Sequence, residues 1–373
     1  MDSRLQRLRE EIDAADSELV ALLARRMDIS RQIGEVKHDL GQPLYVPERE
    51  AALIAARREE AEVQGMSGDV IEDVLRRVMR ESYQRQKHQG FRRTGDGQRN
   101  IVVVGGKGQL GSLFARWFAL SDYPVVVIDK DNLDELADAV EYAALVLISV
   151  PVSLTTNVIE ALPELPSDCV LADLTSVKRE PLAAMLVKHS GPVLGLHPMF
   201  GPSVPTLAKQ TILVAPGRDA TAAQWLLRQF EIWGTTIHEL SAEQHDKAMS
   251  VIQVMRHLST FVYGYHLAHE DIDLDELLNL SSPIYRLELL MVGRLFAQSP
   301  ELYADIILND QDQHRMIRRY LQRFTKLLDV IETEGREGFI REFRGVARWF
   351  GPHAGQFLKE SVSLLQHADD AKR

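Results

Sequence analysis

The chain has very little cysteine: Cys169 is its single thiol. That excludes an internal disulfide framework and any cysteine-rich zinc site, and it suits a reducing compartment. Positive charge is also short, with 43 lysines and arginines against 54 acids and a net charge of −11. This balance argues against nucleic acid or an anionic membrane as partner, although a local basic cluster can still hold a small anion. No apolar run approaches the roughly 20 residues that cross a bilayer. The first five residues include the charged Asp2 and Arg4 and lack the apolar core of a secretory signal, so a cytoplasmic location is expected. Internal repeats and low-complexity tracts are missing as well, and no metal site is expected. What is present is an apolar fraction of 45% over 373 residues. That is enough for real cores, and too long a chain for one ordinary domain.

Three styles of sequence follow one another. Residues 4–89 read as helical, rich in Leu, Ala, Arg and Glu. A polar stretch over 87–100 reads as a linker. Short apolar runs at 101–104, 125–128, 145–150, 170–174, 193–196 and 211–215 then alternate with helical segments, which predicts βαβ units and a mostly parallel sheet. After Ser241 the pattern is helical almost to the end.

The first of those strands runs into Gly105-Gly106-Lys107-Gly108-Gln109-Leu110-Gly111 and then a helix. Gly106, Gly108 and Gly111 make G-x-G-x-x-G. The first glycine is expected at the tight turn, the second where backbone approaches a pyrophosphate, and the third where helix packs on strand. The new helix points its unpaired N–H groups at the phosphates, and Gln109 and Leu110 belong to that first turn. Asp129 ends the second strand about 20 residues on, where an acid accepts hydrogen bonds from the adenosine ribose and favours NAD over NADP. Pro151, after a later strand, either lines the nicotinamide side or simply ends the strand.

His197 lies in Gly195-Leu196-His197-Pro198-Met199-Phe200-Gly201-Pro202, just after an apolar strand and thus near the carboxyl edge of the sheet. A histidine there either accepts a hydroxyl proton as hydride leaves the same carbon, or is tied to a backbone carbonyl. Ser176 either shares a hydrogen bond with that histidine or the substrate, or caps the next helix. Arg294 interrupts an apolar stripe and either snorkels to water or grips an anion bidentately. His257 shares a helix with Val254, Leu258 and Phe261 and reads as a satisfied core histidine.

The first helix, predicted over residues 4–37, has a seam stepping by three and four: Leu5, Arg9, Ile12, Asp16, Leu19, Leu23, Arg26, Ser30, Ile33, Lys37. Arg9, Arg26 and Lys37 occupy positions where leucines are expected, and buried cations are costly unless an anion meets them. A second helix should start at Pro47, carrying Arg49 and Glu50. A third should follow Ser67 or Asp69, with a stripe of Ile71, Val74, Val78, Ser82 and Gln86 that turns polar. Inward cations, one acid and an amide suit a small dicarboxylate; an arm with partly exposed seam charges is the plainer alternative.

Arg9, Arg26, Lys37, Arg49, Glu50, Ser82 and Gln86 resemble the active-site set of the all-helical chorismate mutases. From Ile101 onward, the Gly-Leu-His-Pro-Met-Phe-Gly-Pro run and Ser281-Ser282-Pro283-Ile284-Tyr285-Arg286-Leu287-Glu288 before Arg294 are similar to prephenate dehydrogenase. Together these segments resemble the bifunctional chorismate mutase–prephenate dehydrogenases of bacterial tyrosine synthesis over essentially the whole chain. The resemblance implies an all-α mutase domain of three helices in an intertwined dimer (1–92), an α/β Rossmann-type NAD-binding domain (93–240) and an all-α C-terminal substrate and dimerisation domain (241–373).

It also implies roles. Arg9 (from a second subunit), Arg26 and Arg49 bind carboxylates of chorismate, Lys37 and Gln86 donate to the breaking ether oxygen, and Glu50 and Ser82 orient the substrate. Val46 departs from relatives that carry an acid there. In the second reaction prephenate and NAD+ give 4-hydroxyphenylpyruvate, CO2 and NADH, with His197 as base, Arg294 on the ring carboxylate, and Ser176 and His257 assisting. Lys107 inside the glycine loop is a further departure. L-tyrosine is implied as a feedback inhibitor, and a homodimer as the assembly. Two other readings remain at this point: an arogenate-preferring dehydrogenase with a residual mutase domain, and a redox-sensing regulator that binds NAD and offers its helical arm to a partner protein.

Overall fold

The computed structural model describes residues 3–87, 90–270, 272–308 and 311–370. Two compact units divide the chain, one ending at His245 and one starting at Asp246.

The first unit opens with three helices. Helix α1 (Ser3–Leu40) extends a little beyond the predicted span at each end. It stops at Gly41, whose φ of +62° suits glycine. There Gln42 N donates to Lys37 O at 2.9 Å and Gly41 N to His38 O at 3.1 Å, the paired bonds of a Schellman cap. Helix α2 (Pro47–Val63) begins on the predicted proline. Helix α3 (Gly68–Gln86) is capped by Ser67, which accepts from Asp69 N at 3.3 Å. The α3 stripe is buried at Val78, Ser82 and Gln86. The α1 seam, by contrast, is exposed at Leu5, Ile12, Leu19 and Ile33.

The stretch read as a linker is docked. Phe91 is buried and stacks on Trp117 with ring centroids 5.0 Å apart, while Thr94 Oγ1 donates to Trp225 O at 2.7 Å. A polar composition hid the one aromatic anchor that fastens it.

Next come β1 (Asn100–Val104), α4 (Gln109–Ala119), β2 (Val125–Ile128), α5 (Leu136–Glu141), β3 (Ala143–Ile148), α6 (Val152–Ala161), β4 (Val170–Asp173), α7 (Arg179–Lys188), β5 (Val193–Pro198), β6 (Thr211–Pro216), α8 (Gln224–Ile232) and β7 (Thr236–Glu239). Among the described residues they form a seven-stranded sheet in the order β2-β1-β3-β4-β5-β6-β7. In β1, Ile101 and Val103 join one apolar layer with Phe114, Phe230 and Trp233, while Val102 and Val104 join the opposite layer with Ile159 and Met185. Burial on both faces is what makes these strands read as unbroken apolar runs.

Two details differ from the sequence reading. Strand β6 runs antiparallel to β5; the segment between them holds no crossover helix to return the chain in parallel. Strand β7 was not predicted. Its Thr-Ile-His-Glu sequence is short, polar and partly exposed, so it lacks the apolar run that marks the others.

In the second unit, α9 (Ala242–Met249), which begins at the end of the first unit, leads through a π-helical segment (Ser250–Met255) into α10 (Arg256–His269). Then follow α11 (Leu274–Leu280), α12 (Pro283–Phe296), α13 (Pro300–Leu308), α14 (Gln311–Phe350) and α15 (Pro352–Asp370). Helices α10 and α12 pack closely, since a Cβ on Gly264 would stand 2.3 Å from the Phe296 ring. His257 is buried edge-on to Tyr303, centroids 4.8 Å apart, and its Nδ1 has no partner among the described residues. It is therefore not the satisfied core histidine that its stripe suggested. Burial first, and Arg256 second, lower its pKa to about 4.

Among the described residues no helix is long and apolar enough to cross a membrane, and no group of three metal-ligating side chains is found.

Two predictions follow from these burials. The Cys169 thiol is buried and its pKa is raised to about 12, mainly by desolvation. The native chain should thus resist iodoacetamide at pH 8 and react only once denatured; rapid native alkylation would refute it. His257 is neutral in the fold, so the unfolded chain takes up its proton first as pH falls. The stability it contributes is complete above about pH 6.5 and is lost toward about pH 4. The thermal midpoint of the natural chain should therefore fall more steeply across that window than that of His257→Gln, and parallel slopes would refute the assignment.

Candidate active sites

In the helical segment, Arg26 and Lys37 are half-buried on α1. Burial holds both below their usual pKa ranges, with Tyr83 partly opposing the shift at Arg26. Arg26 Nη1 donates to Ser82 Oγ at 3.3 Å across the α1–α3 contact. Gln86 Nε2 donates to Ser30 O at 2.7 Å and to Ser30 Oγ at 2.9 Å, leaving its buried Oε1 without a partner among the described residues. Lys37 Nζ donates to Pro43 O and Leu44 O, each at 2.9 Å, and Lys37 and Gln86 line one crevice together with Leu44 and Ile232. An ammonium has three donors, so one remains beyond the two that hold the loop.

Glu50 is buried at the start of α2 and accepts from Tyr83 Oη at 2.9 Å. Arg9 and Arg49 are exposed. On an unbroken helix Arg9 lies about 25 Å from Arg26, so a single chain does not bring these two together. Four predicted residues thus gather between α1 and α3 (Arg26, Lys37, Ser82, Gln86), Glu50 joins through Tyr83, and Arg9 stays apart. Val46 is the extended residue before α2 and offers no side-chain cap.

The glycine loop lies at the switch point of the sheet, where β2 flanks β1 on one side and β3 on the other. The left-handed turn falls on Gly105, with φ +82°, rather than on Gly106. A Cβ at Gly105 would stand 2.3 Å from Ser149 O at the end of β3. Gly106 is constrained by space instead, with Val127 Cγ1 at 2.8 Å from such a Cβ. Gly108 precedes α4 as its N-cap, and Gln109 and Leu110 form the first turn of that helix. Gly111 lets α4 close on the loop, since a Cβ there would meet Gly105 O at 2.5 Å.

Asp129 follows β2, and its carboxylate accepts from Lys107 N at 3.1 Å and Lys130 N at 2.9 Å. The Lys107 ammonium pairs with Asp131, so in this arrangement it balances an acid at the loop. Pro151 caps α6, its carbonyl accepting from Leu154 N at 2.9 Å and Thr155 Oγ1 at 3.0 Å. This cradle of Cβ-free backbone beside an ordered acid fits a dinucleotide.

His197 is buried near the carboxyl end of β5, and its Nδ1 lies 2.8 Å from Nε2 of His245. Sequence reasoning missed His245, because its polar helix carries no motif and only folding brings it to β5. Ser176 does not cap α7, whose cap is Lys178; its Oγ is buried without a partner among the described residues. The turn around it is held by a fully buried ion pair between Lys178 and Asp173, with Thr175 N also donating to Asp173 at 2.9 Å. Gly195 makes room for that lysine, since a Cβ there would lie 2.9 Å from Lys178 Cδ. Arg294 and His257 belong to the second unit, on α12 and α10.

Family comparisons divide the chain in the same order. Residues 8–87 match chorismate mutase type II, residues 125–236 the prephenate dehydrogenase nucleotide-binding domain, and residues 241–345 the prephenate dehydrogenase dimerization domain. A T-protein of Enterobacter agglomerans is 51% identical over 372 residues, covering 100% of both chains. A T-protein of Haemophilus influenzae is 49% identical over 370 residues, covering 99% of this chain and 98% of its own. A solved Aquifex aeolicus prephenate dehydrogenase in complex with hydroxyphenyl propionate and NAD+ aligns over 67% of this chain and 96% of its own, with a TM-score of 0.54 at 18% identity, a likeness of fold. With near-complete coverage at about half identity, the chain belongs to the T-protein family, the fused chorismate mutase–prephenate dehydrogenases.

Proposed function

We propose that the chain rearranges chorismate to prephenate in its helical segment (1–92) and oxidatively decarboxylates prephenate to 4-hydroxyphenylpyruvate with NAD in the remainder (93–240 and 241–373). The observation that carries the mutase half is the pair of half-buried cations, Arg26 and Lys37, set beside Ser82 and Gln86. Such cations are tolerable in a crevice when an anion is the expected guest. The rearrangement is intramolecular, so the residues need only hold a compact conformer and stabilise charge on the breaking ether oxygen. Arg26 and Arg49 grip carboxylates, and the third Lys37 donor reaches the ether oxygen. The Gln86 amide turns from Ser30 to do the same, while Glu50 and Ser82 orient the ring. Arg9 is supplied by a second copy, because its own chain holds it a long helix away; the exposed α1 seam supports an intertwined homodimer.

For the second reaction, Gly106, Gly108, Gln109, Leu110 and Gly111 would hold the pyrophosphate. Asp129 would hold the ribose and disfavour a 2′-phosphate, with Pro151 nearby. NAD, when bound, accepts a hydride. His197 can take the ring hydroxyl proton at Nε2 if its Nδ1 donates to His245, so His245 sets the tautomer. Arg294 binds the ring carboxylate, and Ser176 and His257 orient the substrate. L-tyrosine, carrying the product's phenol ring, would compete with prephenate for binding. A cytoplasmic location suits the lone buried thiol.

The direct test feeds chorismate to the purified chain with and without NAD+. Prephenate should accumulate without the cofactor and 4-hydroxyphenylpyruvate should appear with it; unchanged chorismate in both tubes would sink the proposal. A second test addresses the cradle. Gly111→Ala forces a methyl against Gly105 O and should weaken NAD+ binding by at least roughly tenfold, about 1.4 kcal/mol, in a fluorescence titration. Unaltered affinity would remove the loop from the site.

A further inference from the structure

Glu50 is a buried carboxylate, and a charge taken out of water needs countercharge. Tyr83 Oη meets its Oε2 at 2.9 Å, and Arg76 Nη1 lies 3.3 Å from its Oε1. Arg76 is half exposed and also pairs with Glu72 at 2.6 Å, so its charge is shared. The close ion-pair partner on Oε1 is Lys209, which comes from the turn leading into β6. Its ammonium lies 5.2 Å from the centroid of Tyr45 and 5.9 Å from that of Tyr83, beside two aromatic rings of the helical segment. The backbone of Lys209 is left-handed, with φ +67°, and its N–H donates to Gly234 O at 2.9 Å. A lysine therefore stands where glycine would be less strained, and its stem carries the charge to Glu50.

The same region is fastened at further points. Leu44 N donates to Ile232 O at 2.9 Å, and Lys87 Nζ donates to Pro205 O at 2.8 Å. Helix α2 and the sheet segment are thus held together around Glu50.

We propose that Lys209, a residue of the nucleotide-binding segment, is a positioning residue for the chorismate rearrangement: it holds the Glu50 carboxylate in the orientation that meets the substrate. The mutase site is then completed by the dehydrogenase half of the chain. This rests on the assignment of Glu50 to the mutase site. Without Lys209, the carboxylate keeps, among the described residues, Tyr83 and the solvent-facing Arg76, and it swings toward the latter.

The test uses the full chain carrying Lys209→Met, Lys209→Arg, Glu50→Gln or the double change Glu50→Gln/Lys209→Met. Chorismate turnover and NAD-dependent prephenate oxidation are measured on each. Lys209→Met should lower mutase kcat roughly tenfold with little change in KM. Lys209→Arg should recover most of that loss, and the double variant should be no slower than Glu50→Gln alone. Prephenate oxidation by Lys209→Met should stay within about twofold of the natural chain, which reports an intact fold. Natural mutase turnover in Lys209→Met beside a slow Glu50→Gln overturns the inference while leaving Glu50 in the site. A fast Glu50→Gln removes Glu50 from the site and the inference with it. Equal loss of both activities in Lys209→Met assigns the lysine a merely structural role and also overturns it.

Discussion

Burial of charge is the constraint around which both candidate sites are arranged. A carboxylate removed from water forfeits hydration that only a close cation or several donors can replace. Asp173 and Lys178 meet this requirement within one short turn, both fully buried. Their pairing fixes the strand-to-helix connection that presents Ser176, and the lysine stem rests on the space left by Gly195, two residues before His197. Glu50 meets the requirement differently, drawing its countercharge from Arg76 on the same helical segment and from Lys209 far along the chain. In each case the polar network rigidifies the backbone beside a candidate site residue.

A second constraint is close approach of backbone to backbone at the switch point of the sheet. The carbonyl of Ser149 at the end of β3, the turn at Gly105 and the start of α4 at Gly111 crowd one another so tightly that a methyl at either glycine would collide. The crowding brings the amino end of α4 beside the acid that follows β2, the two features proposed to meet the pyrophosphate and the adenosine ribose. Lys107 tempers the local negative charge through Asp131.

The apolar faces left open in one chain are the counterpart of these tight sites. Leu5, Ile12, Leu19 and Ile33 on α1, and Phe261, Tyr265 and Phe296 in the second unit, are exposed in isolation. Faces of this extent are normally covered. A second copy covering α1 would also deliver Arg9 to a distant Arg26, which ties the proposed homodimer to the proposed chemistry.

Much of this was legible in the sequence. The runs of Val, Ile and Leu in β1 to β6, the proline opening α2, the serine capping α3 and the G-x-G-x-x-G turn all act through contacts a few residues apart, and local pattern reports local contacts. The seam cations were legible too, because charge at a packing position stands out against its neighbours. Illegible were the antiparallel turn of β6, the polar edge strand β7, the docking of Phe91 and the shift of the left-handed turn to Gly105. His245 beside His197 and Lys209 beside Glu50 escaped for the same reason: their partners lie 48 and 159 residues away. The sequence alone determined which residues are chemically able to act, since that depends on side-chain type and local spacing. The tertiary structure decided which of them meet, since a lysine or histidine finds its partner only after the sheet has closed and the cost of leaving a buried charge alone selects among the possible neighbours.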